Sequence, residues 1–495
     1  MFTSSEIPII GIILLIALGI LGWGFYRARP FGKLGILAWL QSVVLMTPWL
    51  LFFGLFAAGI YINIVGVLTL VVISAGLYIF LGRQLRAAGQ DAIIQQRATQ
   101  RLAANSSQGS ENLPQVVLEE IKIPVLPIPE GDLTAIKSIF GIDTFFATET
   151  ISYQEGAIFK GNMRGEAEEV HKRLTASLQK KLDDKYRLFL VDGREGKPVV
   201  IVLPSRNDPR PMSLQQKSFA VILFMATIAT CLETAGLLLN FDLFANPERY
   251  IEALPIGTGI FAILASHEIG HWLLARRHQI RISWPFFLPA VQIGSFGSIT
   301  RFESLLPNRK VLFDLALAGP GAGGIISLLM LISGLLLSRP DSLFQLPNQF
   351  FQGSILVGSL ARVVLGSALQ SSVVSVHPLV VIGWLGLVIN ALNLMPAGQL
   401  DGGRIIQAIY GRKTAARATV ATLVLLGLIS LGNSLAIYWT LVIFFLQRDL
   451  ERPSLNEISE PDDARAALGL LALLLMITTL LPLTPGVAGR LGIGG

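Results

Sequence analysis

One cysteine, Cys231, occurs in the 495 residues. An intramolecular disulfide framework and any cysteine-clustered zinc site are thereby excluded. Charge is scarce as well. Asp, Glu, Lys and Arg make up 15% of the chain, against about 25% in an average globular domain. Lys and Arg exceed Asp and Glu, 39 to 33, but they sit mainly at the ends of apolar runs. Charges so placed set membrane orientation, and no nucleic-acid partner is expected. With 52% hydrophobic residues and several uncharged runs of spanning length, the composition is that of a polytopic α-helical protein of the lipid bilayer.

Only five histidines are present. Two of them fall in an apolar run from about Gly257 to Ala275, as Ser266-His267-Glu268-Ile269-Gly270-His271. Residues four apart share a helix face, so His267 and His271 point the same way. Two imidazoles at that spacing can grip one Zn²⁺, and Glu268 can reach a water on the metal as general base. Matches to H-E-x-x-H arise by chance, as polar residues on a wet helix face. Inside a membrane-length segment that account fails, because buried ionisable groups are costly and normally functional. The helix ends at Arg276-Arg277-His278, which puts the pair roughly 7–14 Å inward from Arg276 at helical rise.

In chain order, residues 1–86 hold three apolar spans. Pro8–Phe25 has Glu6 before it and Arg27, Arg29 and Lys33 after it, the wrong polarity for a signal peptide. Leu34–Gly82 is long enough for a hairpin turning near Gly59–Asn63. Residues 87–115 are a helical, then Ser-rich flexible linker. Residues 116–208 read as a small inserted α+β domain on the cytosolic side. Helical signals at Gly131–Phe140 and Glu166–Leu182 alternate there with strand signals at Thr144–Tyr153, Ala157–Gly161, Tyr186–Val191 and Pro198–Leu203. His171 in that domain is expected to be solvated.

Residues 209–447 form the second membrane block. Glu233 and Thr234 in its first span are expected to make a helix–helix hydrogen bond or to lie near the outer interface, with no catalytic role. Ile282–Ser304 is too interrupted by Pro285 and Pro289 for a spanning helix, and reads as an apolar hairpin or re-entrant loop beside the histidines, with an edge able to pair with an unwound strand. Ala318–Gly324 lacks the Gly-Lys-Ser/Thr of a phosphate loop and reads as close helix packing. Arg339–Val376 is expected to be outer amphipathic or re-entrant helix. The span Leu379–Leu394 breaks in Asn393-Leu394-Met395-Pro396-Ala397-Gly398-Gln399-Leu400-Asp401-Gly402. A two-histidine zinc site needs a third protein ligand, and Asp401 lies on that broken backbone at matching depth. Arg404 is its competing partner. Asp314 is the alternative ligand, but Lys310 one turn away is expected to neutralise it. Residues 448–465 are an acidic inner loop, and 466–495 carry the last span.

His267-Glu268-x-x-His271 with Asn393-x-x-Pro396-x-x-x-Leu400-Asp401-Gly402 resembles the paired signature of site-2-protease intramembrane zinc metalloproteases. Gly161-Asn162-Met163-Arg164-Gly165 is similar to the Gly-Asn-Leu-Arg motif of the ethylene-dependent gravitropism-deficient and yellow-green branch, found in cyanobacteria and chloroplasts, with Met163 in place of Leu. The resemblance runs from about Val116 to the C-terminus. It implies zinc-assisted hydrolysis of single-span membrane proteins within or near the bilayer, with Asn393 contacting substrate backbone or oxyanion. A multi-pass position in a cell inner or thylakoid membrane follows, with the site toward the cytosolic side. The lack of a Ser/Arg-rich transit segment favours a bacterial product. A metal or proton transporter would spread its ligands along a route, whereas these cluster near one face. An idle scaffold or chaperone would have no need of the intact ligand set.

Overall fold

The computed structural model describes residues 19, 21–57, 70, 73–74, 77, 80–82, 84 and 128–493, apart from 154, 194–196, 432–433 and 484. Most of the expected first span, the turn near Gly59–Asn63 and the 87–115 linker lie outside them. In the N-terminal part, α1 (Gly32–Ala57) is a continuous apolar helix, and Trp39 Nε1 donates to the Leu21 carbonyl at 2.9 Å.

The second region begins with the soluble module. Helix α2 (Glu130–Lys137) precedes β1 (Phe145–Tyr153) and β2 (Gly156–Met163). Helix α3 (Ala167–Leu182) then leads to β3 (Tyr186–Asp192) and β4 (Pro198–Pro204). The strands form one antiparallel sheet in the order β1-β2-β4-β3. Alternate residues of β3 and β4 are buried, as the two-residue strand period requires. Val170, Leu174 and Leu178 form the buried stripe of α3 and share one core with Phe145, Phe159, Leu190 and Val202. Gly161 has a packing reason: a β-carbon there would strike the Phe146 carbonyl as β1 crosses it.

His171 departs from expectation. It flanks the α3 stripe, is half-buried, and donates from Nε2 to the Leu188 carbonyl at 3.2 Å. Burial pushes its pKa below the ordinary 6.5. The unfolded chain therefore takes up a proton below pH 6.5 that the folded domain refuses. The contribution is intact above pH 6.5 and shrinks as pH falls toward the folded value. Thermal unfolding should show this slope on mild acidification, and His171→Gln should remove it; an unchanged slope in the variant would assign it elsewhere.

Among the described residues, four helices are long and apolar enough to cross a membrane. They are α4 (Leu214–Leu238), α5 (Tyr250–Arg277, with a 3₁₀ turn before it), α6 (Arg309–Leu337) and α11 (Asp463–Leu480). Between them come α7 (Ile355–Leu365), α8 (Pro378–Asn393), α9 (Asp401–Ile429, kinked at Gly411) and α10 (Ser434–Val442). Helix α6 packs on both α5 and α8. Small residues permit this: Gly270 lies against the Ala318 carbonyl and Gly323 against the Asn390 amide.

Ile282–Ser304 contains no helix. It folds as a hairpin of β5 (Phe286–Ala290) and β6 (Gly294–Ile299). Two threonines of α4 hold its turn, Thr230 donating to the Gly294 carbonyl and Thr234 to the Val291 carbonyl, each at 2.6 Å. Glu233 accepts from the backbone N–H of Leu243 at 3.0 Å and Phe244 at 3.3 Å, so it closes the loop after α4. In the 339–376 stretch, β7 (Phe344–Pro347) pairs with β8 (Val373–Val376) around α7. His377 Nδ1 caps α8 by accepting from the Leu379 N–H.

One further expectation is corrected. Asp314 pairs with Arg465, at 2.7 and 2.9 Å, and with His278 at 3.4 Å, while Lys310 reaches Glu168 of the soluble module at 3.3 Å. Helix spacing alone had suggested Lys310, but α11 delivers a planar guanidinium that meets both carboxylate oxygens. The acidic 448–465 stretch is packed in at its centre. Glu451, Ser454, Asn456 and Glu457 are buried, and Asn456 bridges Leu190 of β3 on one side and Asn308 on the other.

Candidate metal centre

Helix α5 carries His267 and His271 one turn apart, and α9 begins at Asp401, just after the backbone break. The fold brings all three together, buried. Asp401 Oδ2 lies 3.3 Å from His267 Nε2 and 3.4 Å from His271 Nε2, and the two nitrogens are 3.1 Å apart. The protons on the rings sit elsewhere. His271 Nδ1 must donate to the Leu315 carbonyl, 2.8 Å away, because a carbonyl only accepts. The Asn390 side chain donates through Nδ2 to the Gly386 carbonyl, so its Oδ1 accepts from His267 Nδ1 at 2.9 Å.

In the neutral rings both Nε2 atoms then face each other, and face a carboxylate, as electron-pair donors. Three such groups packed at these distances repel one another unless a positive charge, a metal ion or a ring proton, lies among them. Two neutral imidazoles and a carboxylate match the donor set of a catalytic Zn²⁺ site, and the Nδ1 bonds supply the ring orientation such sites need. Gly319 of α6 completes the cradle. A β-carbon there would come within 2.7 Å of His267 Nε2 and closer still to His271 Nε2. The Ala318–Gly324 stretch thus packs helices, as expected, and also keeps room for the metal.

Glu268 lies beside this cluster, its Oε1 4.0 Å from His267 Nε2. The hydroxyl of Ser298 donates to Oε1, and that of Thr300 donates to Oε2 at 3.1 Å. Both come from the end of the β5–β6 hairpin. Asn393 is buried and donates from Nδ2 to the Ile389 carbonyl at 2.9 Å. It lines two cavities of about 10 Å³ each, near the volume that admits one water. One is shared with His267, Glu268 and Ser298, the other with His271, Asp401 and Gln447.

Arg404 is buried next to Asp401 but mainly serves other partners. Its Nε lies 3.1 Å from Glu451 Oε2, and its Nη2 donates to the Thr300 carbonyl at 2.8 Å. The distance to Asp401 is 3.7 Å. Asn390 and Gly319 carry no local signal at the positions they occupy in the chain, and Ser298 and Thr300 carry little. Only the two-residue spacing of Ser298 and Thr300, which puts both on one face of an extended segment, offered a hint.

The model of peptidase family M50 matches residues 256–431, and that of the EGY3 middle domain matches 134–209. The chain is 37% identical over 420 residues to probable zinc metalloprotease EGY1, chloroplastic, of Arabidopsis thaliana, covering 76% of each sequence. It is 39% identical over 363 residues to probable zinc metalloprotease EGY2, chloroplastic, of Oryza sativa subsp. indica, covering 72% of this chain and 67% of that one. Probable zinc metallopeptidase EGY3, chloroplastic, of Arabidopsis thaliana is 33% identical over 382 residues, with 72% of this chain and 66% of the relative covered. No solved structure matches the chain. Identity at this level over most of both sequences, with the M50 match running from the histidine helix past the Asp401 break, shows that the chain belongs to peptidase family M50, the site-2-protease family.

Proposed function

We infer that His267, His271 and Asp401 hold the zinc of this intramembrane metalloprotease, and that Glu268 is its general base. The observation carrying the reading is the convergence of two imidazole Nε2 atoms and a carboxylate within 3.4 Å of one another. Bound there, Zn²⁺ supplies Lewis acidity that polarises the scissile carbonyl and makes water nucleophilic near neutral pH. The chain's own groups do the rest. Glu268, steadied by Ser298 and Thr300, accepts the proton of the attacking water and returns it to the leaving amide nitrogen. Asn393 lines the cavities on both sides and contacts the carbonyl or backbone of the substrate.

The substrates in this reading are single-span membrane proteins. An intact helix hides its peptide bonds, so the segment must unwind before cleavage. Strand β6 offers it an edge beside Glu268. The soluble module and the Arg276-Arg277 end of α5 face the cytosolic side of a cell inner or thylakoid membrane, as the positive-inside pattern directs. The Lys310–Glu168 pair, which ties the charged start of α6 to the module, supports that side assignment. Purified protein should contain about one zinc per chain, in line with the ligand set, and cut a single-span model substrate. Chelation should abolish cleavage and zinc should restore it. Zinc-loaded protein that leaves such substrates intact would sink the reading. Single cysteines at Ser205 and Gln279, in a Cys231→Ser background, should label from the same side; opposite labelling would overturn the orientation.

A further inference from the structure

Gln447 ends a π-helical turn, Ile443–Gln447, that follows α10. Turns of this kind are uncommon and gather at functional sites, where they re-aim a side chain. This one brings Gln447 to the cavity lined by His271, Asp401, Asn393 and Ser298. Its backbone is clamped there. The Gln447 carbonyl accepts from the Gln399 N–H at 2.9 Å. Gly398, at φ +48°, makes room for it, since a β-carbon at that position would overlap the carbonyl oxygen. The loop that delivers Asp401 is therefore fastened to Gln447, and the two side chains keep a fixed relation.

The side chain is not used by the fold in the same way. Gln447 is 3% exposed, and its amide oxygen is buried with no hydrogen-bond partner among the described residues. Burying an acceptor unpaired is unfavourable, and a sequence serving packing alone would hold an apolar residue there. A primary amide carries one acceptor and two donors, the complement of a peptide unit. We propose that Gln447 is a substrate-contacting residue whose side-chain amide pairs with the main chain of the segment being cleaved. Its amide oxygen, which no described residue engages, is the half of that pair that takes a peptide N–H in place of the single water the cavity admits. Because the contact is to backbone, it reads an unwound chain rather than a particular side chain, and an intact helix cannot make it. Nothing in the metal ligation depends on it.

The inference rests on the protease reading, and the experiment separates their failures. Wild-type protein in nanodiscs is first shown to cut a fluorescent single-span substrate. If it does not, the protease reading falls. Binding of the same substrate is then measured in Glu268→Gln protein, with and without Gln447→Met, a substitution of similar length. The methionine variant should bind about tenfold more weakly, the loss expected for one buried hydrogen-bonded pair. Its zinc content should be unchanged, and its unfolding temperature equal or higher, because an unpaired polar atom has gone. Equal affinity in the two proteins would overturn the inference alone. So would a parallel fall in zinc content or unfolding temperature, which would make Gln447 a packing residue.

Discussion

Glu268→Gln should reduce cleavage of a single-span substrate at least ~10²-fold, the usual contribution of a general base, while zinc content and unfolding temperature stay at wild-type values. The glutamate oxygens accept from Ser298 Oγ and Thr300 Oγ1. A glutamine in the same place still accepts at its oxygen, and the hydroxyl facing its NH₂ can turn and accept instead. Shape and contacts survive, and only the ability to take a proton is lost. Neither His267 nor His271 bonds to Glu268 through its Nδ1, so ligand orientation is untouched. Metal content measured by elemental analysis, alongside a cleavage time course, decides the matter. Zinc-replete variant protein with retained turnover would remove Glu268 from the reaction.

The parts of this site that were legible in the sequence share one property: each breaks a rule of its surroundings. His267, Glu268 and His271 are ionisable groups in an apolar run, and their four-residue spacing fixes a common face before any tertiary contact is known. Asp401 follows a proline and a glycine where a spanning helix ought to continue. The β5–β6 hairpin was readable from Pro285 and Pro289 for the same reason. What stayed hidden obeys local rules and acquires its role through packing. Asn390 is one more small polar residue on an apolar helix until α8 lies against α5. Gly319 is one glycine among several in a packing stripe. Asp314 has a lysine four residues away, and nothing along α6 reveals that α11 brings Arg465 closer. His171 is partly an exception. It lies one residue past Val170 and three before Leu174 on a helix of 3.6-residue period, and so on the margin of the buried stripe.

Loss of zinc is the expected consequence of Asp401→Ala, although Asp401 lies far along the chain from the histidines. The rival role for this carboxylate is an ion pair with Arg404 one turn on. Distances and partners argue against it: Asp401 stands 3.7 Å from Arg404 but 3.3 and 3.4 Å from the two Nε2 atoms. Arg404 is already matched by Glu451 at 3.0 Å and anchored to the Thr300 carbonyl. Removing Asp401 therefore leaves no uncompensated buried cation, and the fold should tolerate it better than loss of Glu451, which would strand the guanidinium. What it does leave is two imidazole nitrogens 3.1 Å apart with nothing to close the site. Affinity should fall by more than the 10–100-fold that loss of an outer-shell partner typically costs, with cleavage lost in parallel. Asp401→Asn keeps the shape and removes the charge, so it separates ligation from packing. Its zinc affinity should fall as well, while the metal-free protein unfolds at the wild-type temperature. Competition against a chromophoric chelator gives the affinities. Wild-type zinc stoichiometry and affinity in purified Asp401→Ala would show that the third ligand is another residue and return Asp401 to the ion pair.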